Sequence, residues 1–483
     1  MIGPAPSPLC SFLDHGAGNP AIPIVYRWPP PSQPRAPRTR WSLRLLTMIL
    51  APLLLASCQR HPAFKEQWSR PNGAEAPYSA AAVDLNGDGV GDLLVGVPGG
   101  AEAYFGSAQG LARRPGWVFR GDPAGSAGLV VGLAGRLGPG RRPQIFVSAP
   151  RVHGCGVVYL FKTGPLGPEP QPWRTLVSPS QGEGFGERVV DVGDVYGDGY
   201  DCLAVADFAF GQQRGKVYLY RGGPQGPGPQ PVWQAQGVNP GDWFGYSLCA
   251  PGDLDGDGFA DLVVGSKNCN GSCLTWMGSN PALKLHQDYL ASPAWRKAEL
   301  LPMAGKLSVF YGGPQGLGAK AGLEQQGSEV HELFAYQLAA AGDVNKDGRA
   351  DLLVGSIGWK DKRGLVELLA GGPRGQPLHR LWKLEGDVAD QGLGYALAVV
   401  PGLLPSGPGL LVGGTDADQA WFYQPLDGQV PTRRTAIVGG RPTGKRLSDL
   451  LGSAGAPRGD GRGEVFLGFP GAGGRLSVWR YQR

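Results

Sequence analysis

Three segments of this 483-residue chain share one nine-residue acidic pattern, and each runs directly into a short apolar strand. The segments are DLNGDGVGD at 84–92, DLDGDGFAD at 253–261 and DVNKDGRAD at 343–351. Carboxylate or amide side chains stand at the first, third, fifth and ninth positions, and glycine stands at the sixth. Alternate residues of a tight loop can surround a hard cation such as Ca2+, which takes six to eight oxygen ligands. Glycine permits the positive φ that folds the loop around the ion.

The spacing predicts three calcium sites, each formed by four side chains and by the backbone carbonyl of the seventh residue. The expected ligands are Asp84, Asn86, Asp88, Val90 and Asp92; Asp253, Asp255, Asp257, Phe259 and Asp261; and Asp343, Asn345, Asp347, Arg349 and Asp351. Ligation by oxygen alone, without His or Cys, favours Ca2+ over Zn2+. Because crowded carboxylates repel one another unless a cation neutralises them, about three structural ions should stabilise the fold. The alternative is that the loops are turns that bind no ion.

The acidic loops belong to a larger repeat. Aligning the strands that follow them divides the chain into seven units at intervals of roughly 55 residues, apart from one longer interval, and such a period is typical of solenoids and propellers. The units begin near Asp84, Arg136, Asp194, Asp253, Asp343, Pro401 and Ala456. In the second, third, sixth and seventh units most acidic residues are replaced, so we expect no tight ion there and at most weak binding in the third.

Each unit repeats the same order of local patterns. An aromatic–Gly step such as Phe244-Gly245 comes first, then the loop and its apolar strand. An alternating segment with a Gly-Gly-Pro turn follows, as in RGKVYLYRGGPQG at 214–226, and a short segment often carrying Trp comes last. Alternation bounded by Gly and Pro predicts about four strands per unit. Seven such units predict an all-β fold, a seven-bladed β-propeller.

The ends of the repeat array predict how the ring closes. The seventh unit ends with its alternating segment, GGRLSVWRYQR at 473–483, and has no Trp-containing strand after it. An unassigned stretch before the first unit, AFKEQWSRP at 63–71, carries Trp68 in the expected style. We predict that this N-terminal strand completes the last blade, which leaves no long exposed edge.

The N-terminus predicts export. We interpret residues 1–57 as a leader and signal peptide and residues 58–483 as the propeller. The apolar run at 45–56 is too short to span a bilayer comfortably and is typical of a signal-peptide core. LASC at 55–58 resembles a bacterial lipoprotein cleavage box, which would make Cys58 a lipidated N-terminus; a plain signal peptide is the alternative. We expect an outer-membrane or cell-surface lipoprotein, or a secreted protein, that meets the membrane only through a lipid anchor.

Charge argues against a nucleic-acid partner. The formal net charge is +5, but residues 1–57 contain five Arg and one Asp, so the rest of the chain carries only +1. No patch of basic and aromatic residues typical of single-strand binding is present. We therefore expect no nucleic acid among the partners.

The combination of Phe-Gly, DxDGDGxxD and Gly-strand-Gly-Pro resembles the FG-GAP repeats of the integrin α-subunit propeller and of bacterial FG-GAP or VCBS-type proteins. The resemblance covers about residues 63–483 and is specific in the three intact units. It implies a seven-bladed propeller whose loops hold Ca2+ on one face, while the opposite face meets protein partners. Neither leg domains nor a membrane helix follow in this sequence, which differs from a whole integrin α chain. The inserted segment 269–303 also departs from the pattern and is either a binding element or an irregular loop.

Two functions are consistent with these features. The first is a non-enzymatic, calcium-binding module for cell adhesion or for interaction with an extracellular protein or glycan. The alternative is a propeller enzyme, such as a lyase or phospholipase-like hydrolase, with its site on the central face. Neither an HExxH motif nor a G-x-S-x-G elbow occurs, which favours the first. Converging Lys, Arg, Tyr and His side chains with perturbed pKa values would favour catalysis, and a broad aromatic or apolar surface would favour binding.

Overall fold

The computed structural model describes most of the repeat region. The described residues are 64–70, 77–121, 126–140, 142–180, 184–267, 303–404, 407–415, 419–423, 434–439, 451–455, 464–469 and 475–481. The predicted leader at 1–57, Cys58 and all but the last residue of the predicted insertion at 269–303 lie outside them. Among the described residues, no helix has the length and apolar character needed to cross a membrane.

Seven antiparallel sheets of four strands each form the blades of the predicted propeller. Blade one contains β2 (Ser79–Val83), β3 (Asp92–Val97), β4 (Gly100–Tyr104) and β5 (Trp117–Arg120). Blade two contains β6 (Val131–Gly135), β7 (Gln144–Ala149), β8 (Val157–Phe161) and β11 (Arg174–Val177). A small hairpin, β9 (Thr163–Gly164) with β10 (Gly167–Pro168), lies within blade two. Blade three contains β12 (Arg188–Gly193), β13 (Cys202–Asp207), β14 (Lys216–Arg221) and β15 (Trp233–Gln236). Blade four contains β16 (Ser247–Gly252), β17 (Asp261–Ser266), β18 (Lys306–Phe310) and β19 (Leu323–Gln326).

The last three blades complete the ring. Blade five contains β20 (Gln337–Gly342), β21 (Asp351–Ser356), β22 (Leu365–Ala370) and β23 (His379–Glu385). Blade six contains β24 (Ala396–Leu404), β25 (Gly407–Gly413), β26 (Gln419–Tyr423) and β27 (Arg434–Gly439). Blade seven contains β28 (Leu451–Gly455), β29 (Glu464–Phe469), β30 (Arg475–Tyr481) and β1 (Phe64–Ser69). Short helical turns at Val152–Gly154, Phe210–Gln213 and Trp359–Lys362 connect second and third strands. The predicted all-β, seven-bladed propeller is therefore confirmed.

The position of each strand in its blade explains its sequence pattern. The second strand of a blade follows the loop and is buried along its whole length in Asp92–Val97, Asp261–Ser266 and Asp351–Ser356. Neighbouring blades cover both of its faces, so the sequence is a continuous apolar run. The first strand alternates instead, as in Ser247–Gly252, where every second residue is buried. First strands of consecutive blades contact one another all round the ring, including β28 with β2.

Strand β1 closes the ring as predicted. It pairs antiparallel with β30, from Phe64 opposite Tyr481 to Ser69 opposite Ser477, and becomes the fourth strand of blade seven. The Trp68 indole donates a hydrogen bond to the Ala112 carbonyl at 3.0 Å, so the same strand is also attached to blade one. The N-terminal and C-terminal strands of the propeller, β1 and β30, thus belong to one sheet.

A buried ion pair follows β1 directly. The Arg70 guanidinium lies 2.8 Å from Glu102 of blade one, with only 4% and 10% of the two side chains exposed. Tyr104 donates a second hydrogen bond to Glu102 at 2.8 Å. Burial opposes ionisation of Glu102, but the hydrogen bonds from Arg70 and Tyr104 outweigh it and lower its pKa. Arg120 of blade one lies 3.3 Å from the other oxygen of Glu102 but is 58% exposed, so Arg70 is the buried cation that compensates this charge.

We expect Arg70→Met to lower the free energy of unfolding by about 2 kcal/mol, because it leaves the buried Glu102 carboxylate with only Tyr104 and the largely exposed Arg120 as described partners. The double variant R70M/E102M should recover most of this loss, since replacing both members of a buried pair with apolar residues is often nearly neutral. Denaturant unfolding of the three proteins measures the difference. Equal stability of wild type and R70M would contradict a role for this pair in closing the ring.

Candidate cation-binding loops and the opposite face

The acidic loops join the first and second strands of blades one, four and five. In each loop the first aspartate accepts backbone hydrogen bonds, and one of them comes from the glycine at the sixth position. The distances are 3.0 Å from Gly89 to Asp84, 2.7 Å from Gly258 to Asp253 and 2.8 Å from Gly348 to Asp343. These glycines have φ values of 81°, 91° and 87°, the left-handed conformation that the sequence predicted.

The ninth aspartate of each loop is fully buried and ties the loop to the turn between the third and fourth strands. One carboxylate oxygen accepts the amide of the second loop residue, and the other accepts an amide from that turn. The donor pairs are Leu85 and Gly106 to Asp92, Leu254 and Gly312 to Asp261, and Val344 and Gly371 to Asp351, all between 2.7 and 3.1 Å. One side chain thus fixes two turns of one blade.

Backbone hydrogen bonds also connect loops of consecutive blades. The eighth loop residue donates to the carbonyl of the first residue in the preceding loop, from Asp201 to Arg136, Ala260 to Asp194 and Ala350 to Asp253. The second glycine of the Gly-Gly-Pro turn donates to the second residue of that preceding loop, from Gly223 to Leu137, Gly313 to Val195 and Gly372 to Leu254. The first glycine leaves room for this contact, since a Cβ at Gly371 would lie 2.4 Å from the Ala350 carbonyl oxygen. From the sequence, these glycines were predicted only to form a turn.

The loop of blade four suits a cation best among the described residues. Carboxylate oxygens of Asp253, Asp255 and Asp261 lie within 4.8 Å of one another. The Oδ1 atom of Asp255 is buried and has no hydrogen-bond partner, as expected of a group that awaits a ligand. This donor set, all oxygen and strongly negative, fits a hard divalent cation.

An arginine side chain of the protein itself contacts this loop, which was not predicted from the sequence. Arg374, from the Gly-Gly-Pro turn of blade five, donates from Nε to Asp255 at 2.7 Å and from Nη2 to Asp257 at 2.5 Å. In the other two loops the third residue is asparagine, and its amide donates instead to the fifth residue, from Asn86 to Asp88 and from Asn345 to Asp347. The sequence offered one signal, an arginine in GGPRG where two other blades have GGPQG.

The fifth and seventh loop residues meet through the backbone. The seventh residue donates its amide to the fifth aspartate, from Val90 to Asp88, Phe259 to Asp257 and Arg349 to Asp347, at 2.7 to 3.1 Å. This bond orients the fifth carboxylate at the mouth of each loop. Ligation by the seventh carbonyl stays a prediction.

Burial raises the pKa values of the ninth aspartates. It raises the pKa of Asp92 to about 6 and that of Asp261 to about 7, despite two backbone hydrogen bonds to each. Neighbouring loop aspartates add to both shifts. Burial also raises the pKa of Asp351. Charge at the bottom of these loops is therefore costly unless a cation offsets it.

In the third unit, where the pattern is degenerate, arginines supply the positive charge. Arg221 donates from Nε to Asp198 at 3.0 Å and lies over the Tyr196 ring, 3.8 Å from its centroid. Asp201 accepts the Arg136 backbone amide at 2.6 Å and faces its guanidinium at 3.6 Å. The expectation that this unit holds no tight ion, and at most a weakly bound one, stays a prediction.

The opposite face of the ring carries an aromatic row. Strands alternate in direction, so the residue after each aromatic–Gly step lies on the face opposite the loops, near the first strands that line the channel. In blades four, five and six this residue is Tyr246, Tyr336 and Tyr395, whose ring centroids are 5.0 and 5.7 Å apart along the row. Trp243 and Phe208 stack at 5.3 Å and extend the row towards blade three. All five rings are half-buried.

Two cations lie against this aromatic row. The Lys267 ammonium is 4.1 Å from the ring centroids of both Trp243 and Tyr246, and Arg188 lies over Tyr246 at 5.6 Å. Burial, and then repulsion by Arg188, lowers the pKa of Lys267 to about 8. Exposed valines on the connections between blades, Val238, Val330 and Val388, widen the apolar part of this face; they are 76%, 49% and 62% exposed.

Blade three differs from this pattern. At the positions of the row tyrosine and its cross-strand neighbour it has Glu187 and Asp207. Burial, together with the nearby carboxylate of Asp207, raises the pKa of Glu187 to about 7. Burial also raises the pKa of Asp207 to about 6.

Comparison with known proteins agrees with the repeats and the fold. Residues 76–110, 244–269 and 334–365, which contain the three acidic loops, match the FG-GAP repeat. Similar proteins include mouse integrin alpha-8, 30% identical over 212 residues, and Xenopus laevis integrin alpha-5, 29% identical over 205 residues. Each alignment covers 39% of this chain and 19% of the relative, so the chain spans about a fifth of their length.

The chain therefore carries FG-GAP repeats and resembles the N-terminal propeller of integrin α subunits. Its fold is also similar to a chain of the solved BBS1N complex with ARL6DN soaked with lead, with a TM-score of 0.50 and 12% identity. That match covers 87% of this chain and 98% of the other. At this identity the likeness concerns the fold alone.

We expect Asp261→Ala to lower the free energy of unfolding by about 2–4 kcal/mol in calcium-free buffer, because the buried amides of Leu254 and Gly312 lose their acceptor. Asp257→Ala, in the same loop but solvent-exposed, is the control and should cost less than about 1 kcal/mol. Denaturant unfolding compares the two. Similar losses in both variants would mean that the ninth aspartate does not hold the two turns together.

Proposed function

We propose that this protein is an exported binding module, not an enzyme, and that it binds an extracellular protein or glycan through the face opposite the acidic loops. The aromatic row carries this proposal. Half-buried Tyr246, Tyr336 and Tyr395 contact one another in a row, and the exposed valines of the connections between blades lie on the same face. Aromatic side chains at a partly exposed apolar surface are the groups enriched in interfaces. The similarity to integrin α chains supports a role in adhesion or surface interaction.

The proposal includes the N-terminal segments and the insertion. Residues 1–57 act as leader and signal peptide, and Cys58 carries a lipid that anchors the propeller, 58–483, at the surface. The segment between β17 and β18 contains the insertion 269–303, and the strand ends at Ser266 and Lys306 lie on the same face as the aromatic row. It is therefore a candidate to contribute to the binding surface.

We further propose that the three acidic loops hold Ca2+ as structural ions. The unpartnered Asp255 oxygen and the buried ninth aspartates support this role. The first, third, fifth and ninth side chains and the seventh carbonyl of each loop would hold the ion. When bound, Ca2+ supplies positive charge that offsets the repulsion among these carboxylates.

We expect saturating Ca2+ to raise the melting temperature, and to raise it more at pH 7.5 than at pH 5. Because Asp92 and Asp261 have raised pKa values when folded, the calcium-free native state binds more protons than the unfolded chain. Its stability therefore falls as pH rises from about 4 to about 7. Ca2+ should cancel this loss by neutralising the ionised groups. Calorimetric melts of dialysed protein with and without Ca2+ measure it.

The matched variants replace the third loop residue, N86A, D255A and N345A. Each should remove about one bound Ca2+, with dissociation constants on the order of 10⁻⁴–10⁻³ M in the wild type. Asp198→Asn, in a degenerate loop, should leave the number of ions unchanged. Equal calcium binding by the wild type and the triple variant would refute the loop sites while leaving the fold intact.

The binding proposal is tested with the full chain on immobilised extracellular-matrix proteins and glycans. We expect saturable binding to at least one of them, weakened about tenfold or more in Y246S/Y336S and in V238S/V330S/V388S. The control is L166S/V232S, which removes two exposed apolar side chains on the connections of the loop face. Absence of binding to both ligand classes, or loss only in the control, would count against the proposal.

Lys267 supports the alternative of a propeller enzyme, because a pKa of about 8 is suited to general-base chemistry. The test is turnover of polysaccharide and phospholipid substrates by the wild type and by Lys267→Met. Turnover that is lost in K267M would replace the binding proposal with the enzymatic one.

A further inference from the structure

Blade three departs from its neighbours at two positions that face each other. The register of the first two strands pairs Arg188 with Ala206, so the next residues outward, Glu187 and Asp207, lie across from one another at the end of the sheet. The same two positions hold Tyr246 and Ser266 in blade four. In blade five they hold Tyr336 and Ser356. Only in blade three, of these three, have both become acidic.

The two carboxylates are directed at one small space. A Cβ placed on Gly184 would lie 2.5 Å from Asp207 Oδ1 and 2.8 Å from Glu187 Oε2. Because Gly184 has no side chain, both oxygens can lie close to this backbone position, and any larger residue would displace them.

The oxygens in this space lack partners. Asp207 is fully buried, and neither of its carboxylate oxygens nor Glu187 Oε2 accepts a hydrogen bond from the described part of the chain. The amides of Phe210 and Ala209 lie near enough to influence Asp207 but do not form bonds of normal geometry. Lys216 is paired with Asp207 in register, yet its ammonium lies over the Phe210 ring at 5.0 Å and forms no ion pair with it. Buried polar atoms without partners are rare and call for a ligand.

We propose that Glu187 and Asp207 bind a hard divalent cation between their carboxylates, beside Gly184. Two carboxylate oxygens without partners, Asp207 Oδ1 and Glu187 Oε2, converge there, which suits a cation that prefers oxygen ligands and completes its shell with water. The site is distinct from the acidic loops, since it lies on the opposite face of the ring. The proposal does not depend on the proposed binding function.

The test uses the full chain and Ca2+ alone. E187Y/D207S gives blade three the residues of blades four and five, so it should fold, and it should bind one Ca2+ fewer than the wild type by equilibrium dialysis. Gly184→Ala keeps both acids but places a methyl group against their two convergent oxygens, which must then move apart, and it should also lose that ion. N86A/D255A/N345A should retain it. Melting in calcium-free buffer checks that each variant is folded.

Diffraction locates the ion independently. Crystals soaked in Mn2+ should show an anomalous peak between Glu187 and Asp207, and the peak should be absent in E187Y/D207S. An unchanged number of bound ions in both blade-three variants, or no peak between the two carboxylates, would overturn the proposal and leave a carboxylate pair that shares a proton. Loss of ions only in the loop variants would overturn it as well, without affecting the loop sites.

Discussion

A fully buried carboxylate holds each intact repeat together. The ninth loop aspartate is surrounded by apolar strands, yet it accepts one amide from its own loop and one from the Gly-Gly-Pro turn of the same blade. A buried acceptor that loses these donors is expensive, so the two turns must keep their relative position. The next blade then attaches to this loop through its backbone, as Ala350 does to Asp253 and Gly372 does to Leu254. Local loop geometry is in this way transmitted around the ring.

The loop face also shows how the protein manages concentrated negative charge. Where acidic residues are complete, the carboxylates are crowded and burial opposes their ionisation. Where they are incomplete, an arginine faces the remaining ones, as Arg221 does Asp198. Blade four shows both features, because its acidic residues are complete and Arg374 of blade five also contacts them. Because arginine cannot release its charge, it neutralises these loops under all conditions, whereas a bound metal ion depends on concentration.

The sequence predicted the elements better than the contacts between them. Period-two alternation and recurring Gly and Pro located the strands, and the missing strand of the last unit correctly predicted its pairing with the N-terminus. The loops also adopt the predicted turn, because position six must be glycine. The contacts of Arg374 and the bonds between loops were not predictable, since they join residues one repeat apart and depend on how blades are rotated. The tyrosine row did have a signal, one tyrosine at the same position of three repeats, after Phe244-Gly245, Phe334-Ala335 and Leu393-Gly394, but only the strand direction shows which face it occupies.

Closure by β1 has a consequence for how the molecule is made. β1 precedes the other strands of the propeller in sequence, and among the described strands its sheet neighbour is β30, so this pairing must wait until β30 has been synthesised. Contacts this distant in sequence are slow to form, and an unpaired strand is prone to join other chains in the meantime. The charged Arg70 beside this strand has its acidic partner in the first blade, which is completed early. That ion pair can hold the waiting strand beside blade one, where the last blade will arrive.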